Sequence, residues 1–336
     1  MKEALLYEKI KNDRVICHLC NHQCTIQKGR FGICNVRQNK DGILYTHVYD
    51  RIIAEHIDPI EKKPLFHFLP GSKSYSVATV GCNFKCRFCQ NANIAQMPSD
   101  QGQITGMQLS PQQVVQTAIN NRCKSISYTY TEPTIYFEFA LDTARKAHDH
   151  DIKNVFVSNG FMSTDAIKMI GPYLDAANID LKSFDDKFYR NYCGGKIQPV
   201  LDNLVTLKEN NVFIEITTLI ITGLNDQPET IQNSAEFIVS KLGADTPWHL
   251  SRFHPTYRLQ DRPATPVKTL QHARQIGMDA GLHYVFTGNV PGDKGESTFC
   301  HQCGKLLIDR FGFSIQSIVL ENNQCPNCQT PVNIVV

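Results

Sequence analysis

Beyond residue 110, short β-branched runs alternate with longer stretches whose apolar residues recur at helical spacing. Ser110 and Pro111 open a helix to about Asn121, a serine cap followed by proline at the first helical position. Lys124 to Tyr130 reads as a strand, Thr134 to His150 as a helix and Lys153 to Ser158 as a strand. Helix Ser163 to Tyr173, strand Asp175 to Lys182 and a helical stretch to about Asn210 follow. The pattern closes with strand Val212 to Leu219, helix Gln227 to Leu242, strand Trp248 to Phe253, helix Pro266 to Ala280 and strand Leu282 to Phe286. An earlier run, Tyr75 to Val80, supplies the first strand of the series. Repeated strand–helix units imply parallel strands with right-handed crossovers, so the expected fold is α/β, a partial (β/α)6 barrel of the TIM type.

Two strands show which way they face. Ala177, Ile179 and Leu181 alternate with Asn178, Asp180 and Lys182, while Val212, Ile214 and Ile216 alternate with Phe213, Glu215 and Thr217. Period two puts each set on one face. Helices must cover the apolar face, so the polar set points inward. A filled barrel interior would be branched and apolar; this one predicts an open, ligand-filled lumen.

Composition narrows the class. At 336 residues and 42% hydrophobic, the chain suits one barrel with appendages. Lys plus Arg number 34 against 32 Asp plus Glu, a net charge of +2, so no long-range field recruits nucleic acid or membrane. Met1 to Arg14 lacks the apolar core of a secretory signal, and the run Val212 to Thr222 is broken by Glu215 and too short to span a bilayer. These features predict a soluble, cytoplasmic protein. The expected division is an amino-terminal Cys-rich extension over 1–71, the barrel over 72–290 and a small terminal domain over 291–336.

The 13 cysteines fall into three tight groups, with only Cys123 and Cys193 outside them. In a large chain that reads as metal binding in a reducing compartment. Cys17, Cys20, Cys24 and Cys34 form the first group, with zinc favoured over iron on ligand type alone. Cys300, Cys303, Cys325 and Cys328, spaced C-x2-C-x21-C-x2-C, predict a structural zinc ribbon. Cys82, Cys86 and Cys89, spaced C-x3-C-x2-C just after the first strand, are three thiols where a closed site needs four. A cluster held there would keep one iron open to another ligand.

That spacing, with Phe88 before the last cysteine, resembles the signature of the radical S-adenosylmethionine (SAM) enzymes. The strand-end set Cys82 to Cys89, Tyr128 to Pro133, Ser158-Asn159-Gly160, Asp180-Leu181-Lys182 and Phe253-His254-Pro255 resembles the pyruvate formate-lyase activating enzyme group. A match over nearly the whole chain, including Asp58 to Leu65 and the ribbon, is similar to the AmmeMemoRadiSam system radical SAM enzymes. The resemblance implies a radical SAM barrel with a 4Fe–4S cluster on Cys82, Cys86 and Cys89. SAM would bind through its amine and carboxylate to the open iron. Glu132 would help hold the SAM amine, Asp180 and Lys182 its amino acid end and His254 the ribose, with Ser158 and Asn159 as further cofactor-binding residues. Tyr130 and Thr131 replace the two glycines of that group's Gly-Gly-Glu motif, and Val157 stands where its members carry an aspartate.

Implied partners are an electron donor such as flavodoxin or ferredoxin, and Memo-like and AMMECR-like proteins. Cys193, in Tyr192-Cys193-Gly194-Gly195, is a candidate catalytic thiol on a loop expected to overhang the site. The competing classes are a zinc-dependent barrel hydrolase and a non-catalytic metal-binding interaction protein. The first needs His, Asp or Glu ligands at the first strand end, where three cysteines stand instead. The second is opposed by the intact three-cysteine loop.

Overall fold

In the computed structural model, which describes residues 1–336, the predicted alternation becomes one eight-stranded sheet in sequence order. Its strands are Ala54–Pro59 (β1), Lys73–Ala78 (β2), Ser125–Tyr128 (β3), Lys153–Ser158 (β4), Ala176–Asp180 (β5), Phe213–Ile220 (β6), Trp248–Arg252 (β7) and Val285–Gly288 (β8). From β2 to β8 every neighbouring pair is parallel. Parallel neighbours need crossovers, and the longest helix in each is Pro111–Asn120 (α1), Phe137–His148 (α2), Thr164–Ile170 (α3), Gln198–Glu209 (α4), Pro228–Phe237 (α5) and Val267–Asp279 (α6), with shorter helical turns beside some of them. The six expected strand–helix units are therefore present, followed by one more parallel strand. The sheet is open, since β1 and β8 do not pair with each other.

Two expectations need correction. The sheet starts before the predicted boundary at residue 71, because β1 pairs antiparallel with β2, Asp58 opposite Ser74. The predicted helix Gln227 to Leu242 is α5 followed by a wider π-helical turn, Ile238–Leu242, and the stretch before Asn210 also contains such a turn, Tyr189–Cys193. Apolar periodicity does not distinguish these windings. The Ser110 signal does hold: its side chain caps α1 and Gln113 returns the bond, a reciprocal capping box.

The alternation within β5 and β6 is realised as read. Ile179, Ile214 and Ile216 are buried on the apolar side, while Glu215 and Asn178 point inward and are buried too. The floor of the interior is filled by the segment after β1. Phe66 N and His67 N donate to the Glu215 carboxylate at 3.0 and 2.7 Å, His249 Nε2 lies 2.6 Å from it, and Asn178 Nδ2 donates to Pro64 O at 2.7 Å. Burial works to raise the Glu215 carboxyl, but its bond with His249 leaves it below its usual range. Burial pushes His67 down to about 4, so that ring is neutral.

The terminal domain packs under this floor. Its hairpin, Leu306–Phe311 with Ser314–Ile318, joins Thr298–Phe299 in a three-stranded sheet. Arg310 Nη2 donates to Phe66 O at 2.7 Å and Val335 N to His67 O at 2.8 Å. At the opposite end of the chain, the amino-terminal segment docks on α2 through the buried ion pair of Arg37 with Glu138. No helix is long and apolar enough to cross a membrane.

Candidate functional site

The C-terminal ends of the parallel strands surround a cavity of about 420 Å³, within the ordinary range for small-molecule sites. Cys82, Cys86, Cys89, Glu132, Ser158, Asn159, Asp180 and Lys182 all line it. These residues come from four different strand ends, which is how parallel sheets build sites.

The cysteine loop is fixed from behind. Lys85 N donates to Cys193 O at 2.8 Å and Arg87 N to Tyr192 O at 2.9 Å. Gly195 presses on Phe84 so closely that a Cβ there would lie 2.4 Å from the ring, so the loop requires glycine. Cys193 is thus a buried buttress rather than an overhanging thiol, and it does not line the cavity. The overhang expected from sequence is corrected: the loop runs behind the cluster loop. A hydrogen bond from Cys193 holds the Cys86 thiol below its ordinary value, whereas burial pushes Cys82 well up and Cys89 to about 11.

Glu132 is fully enclosed. Its Oε1 accepts from Thr134 N at 3.0 Å, Thr134 Oγ1 at 2.5 Å and Ser158 Oγ at 2.8 Å, and its Oε2 from Asn159 N at 2.8 Å. Burial raises its carboxyl despite these bonds. It ties the end of β3 to the end of β4. Asn159 Nδ2 then donates to Asn83 Oδ1 at 2.7 Å, joining both to the cysteine loop.

Asp180 and Lys182 form an ion pair at 2.9 Å in the cavity wall. Burial alone would lower the Lys182 ammonium, but Asp180 and the Cys86 and Cys193 thiols raise it well above the ordinary value. A fixed cation and anion side by side match a zwitterionic ligand. His254 stands apart: it is exposed and outside the cavity lining, while His249 and Ser251 from β7 line the wall instead. The chain turns outward after buried Phe253, which strand periodicity did not predict.

Sequence reading missed a second polar network at the cavity rim. Lys63 Nζ and Lys62 Nζ donate to Asp58 at 2.6 and 2.9 Å, and the Tyr130 hydroxyl donates to the same carboxylate. Lys62, Lys63 and Tyr130 all line the cavity. Burial pulls Lys63 down to about 8. The signal was present in Asp58-Pro59-Ile60-Glu61-Lys62-Lys63, whose charges fall in an otherwise apolar lead-in. Tyr130 also answers the question of the missing glycines. Its φ of 62° is the left-handed conformation glycine would adopt, which costs a side-chain-bearing residue roughly 1–2 kcal/mol. The bond to Asp58 and the Asn91 Nδ2 bond to Tyr130 O, 2.7 Å, hold it there.

The donor set fits a cluster better than a single ion. In the terminal domain Cys300, Cys303, Cys325 and Cys328 bring all four sulfurs within 4.8 Å of one another, with contacts of 3.5 and 3.7 Å. That matches the sulfur separation of about 3.8 Å around one tetrahedral zinc. Cys82, Cys86 and Cys89 do not converge to 4.8 Å although they line one cavity. Thiols splayed around a shared space suit a multinuclear cluster.

A parallel sheet carrying a three-thiol loop at its first strand end, with a paired cation and anion opposite, defines a cluster-bearing enzyme site. The chain belongs to the radical SAM superfamily, whose sequence model matches residues 76–238. That family implies a 4Fe–4S cluster and SAM. An uncharacterized protein of Methanocaldococcus jannaschii is 42% identical over 338 residues, covering 100% of both chains. The 4-hydroxyphenylacetate decarboxylase activating enzyme of Clostridium scatologenes is 24% identical over 180 residues, covering 49% of this chain and 57% of that one. Among solved structures, a radical SAM methyltransferase from Sphaerobacter thermophilus superposes with a TM-score of 0.51 at 18% identity over 71% of each chain. That likeness shows the fold.

Proposed function

We propose that this protein cleaves SAM reductively at the cluster site and uses the product to take a hydrogen atom from a substrate held in the same cavity. The observation that carries the reading is the convergence of Cys82, Cys86 and Cys89 with the Asp180–Lys182 pair on one cavity. A 4Fe–4S cluster bound there supplies the electron that breaks the SAM sulfonium bond and releases a 5′-deoxyadenosyl radical. The chain's own residues do the rest. The three cysteines hold the cluster, and Cys193, whose carbonyl accepts from Lys85 N, sets the loop's position. Asp180 receives the SAM ammonium and Lys182 its carboxylate. Glu132 fixes the strand ends that shape the pocket, while Ser158 and Asn159 lie beside it, facing the ribose region. Phe313, in the turn of the terminal hairpin, also lines the cavity.

Similarity to activating enzymes supports a glycine in a partner enzyme as the first substrate class to test. Small molecules and peptides are the alternatives. A flavodoxin or ferredoxin would deliver the electron, and Memo-like or AMMECR-like proteins are candidate partners. Zinc would sit in the terminal four-cysteine group. The test is anaerobic reconstitution, reduction and addition of SAM, with product identified by mass spectrometry. The expected product is 5′-deoxyadenosine, formed slowly even without substrate. A reduced, iron-replete protein that leaves SAM intact would overturn the reading.

A further inference from the structure

Cys17, Cys20, Cys24 and Cys34 lie in the amino-terminal segment, outside the site above, yet all four line one small cavity. We infer that this cavity is built for a second iron–sulfur cluster, not for zinc. The ligand count alone does not distinguish the two, since four cysteines suit either metal. The spacing does.

Sulfurs around one tetrahedral zinc must approach to about 3.8 Å, because each bond is only about 2.3 Å long. The terminal ribbon meets that demand, with all four sulfurs within 4.8 Å of one another. In the amino-terminal group no three sulfurs converge to that distance. They behave instead like Cys82, Cys86 and Cys89, which also surround a shared space without converging. A cubane places four irons between its thiolates and therefore holds them further apart than a single ion can. The chain thus contains both geometries, and the amino-terminal group sides with the cluster loop.

The surroundings agree. Leu19, Ile26 and Ile135 make the wall largely apolar, which keeps water from the sulfurs. Arg37, 1% exposed, donates from Nη1 to Cys17 Sγ at 3.3 Å. Hydrogen bonds to ligating sulfur stabilise charge on a cluster and shift its potential. The remaining Arg37 charge is balanced by Glu138. This cavity also abuts the first one. Asn83 lines it, one residue from Cys82, and His22 Nε2 lies 2.8 Å from Asn83 O.

The test uses the full chain. Cys82, Cys86 and Cys89 are replaced together by alanine, and the protein is reconstituted anaerobically with iron and sulfide. About four irons and four sulfides per chain should remain, with an electron paramagnetic resonance signal on reduction that SAM does not shift. Adding Cys20→Ala and Cys24→Ala together, which leaves only two of the four thiols, should abolish that iron while the ribbon's zinc stays. A triple variant that binds no iron and carries two zinc ions per chain would overturn the inference. The unmutated protein gives an independent count that needs no variant to fold: about eight irons with one zinc supports the inference, about four irons with two zincs refutes it. Neither count depends on SAM cleavage, so a failed function assay and a failed cluster assignment remain separate results.

Discussion

The Asp180–Lys182 pair, 2.9 Å apart, is the site's clearest single-residue device. Lys182 is 13% exposed at its side chain, so a ligand carboxylate meeting it is largely desolvated. Removing one partner of such a buried, charged contact typically costs about 2–5 kcal/mol. Lys182→Met is therefore expected to weaken SAM binding at least about tenfold, equivalent to 1.4 kcal/mol, with cluster content unchanged. Titration of the reconstituted variant checks it, and native affinity would make Lys182 a structural charge only. Both residues were legible from alternation along one strand, because period two fixes a side chain's face without knowledge of the rest. Cys193 and His254 were not. Their positions depend on how a loop turns after the strand, and nothing local in Tyr192 to Gly195 or Phe253 to Pro255 fixes that turn. The left-handed Tyr130 was hidden for a related reason, since its support comes from Asp58, distant in sequence.

Between elements, the segment from β1 to Phe68 does more than lead into the sheet. Asp58, at the end of β1, draws in Lys62 and Lys63 and fixes Tyr130 beyond β3. Asp58→Asn would leave Lys63 buried without its counter-charge, a loss of about 3–5 kcal/mol. A fall of several degrees in melting temperature is expected, and an unchanged melt would contradict the network's role. Burial works to raise the Asp58 carboxyl, but Lys63, Tyr130 and Lys62 hold it below its ordinary 3.8. Its contribution is therefore complete above pH 3.8 and is lost as pH falls further below that value. Sequence pattern showed the six strand–helix units because each repeats a local period over ten or so residues. It missed β1, whose residues Ala54 to Pro59 carry Glu55, His56 and Asp58 and no clean alternation, and whose identity as a strand comes from pairing with β2.

Across the whole molecule, the three cysteine groups stand at two different spacings. The ribbon's four sulfurs already stand at single-ion spacing, and a closed thiolate shell leaves no open position. Stripping iron from the intact protein with a chelator should leave about one zinc per chain, read by elemental analysis; loss of all metal would show that the ribbon holds none tightly. The central claim is that Cys82, Cys86 and Cys89 hold a cluster whose open iron meets SAM beside Asp180 and Lys182. Electron–nuclear double resonance tests it most directly, using SAM labelled with nitrogen-15 in the amine and carbon-13 in the carboxylate, added to the reduced cluster. The account predicts hyperfine coupling to both labels in the unmutated protein, and none in Cys89→Ala. Absence of both couplings in an unmutated protein that carries its reduced cluster would contradict it.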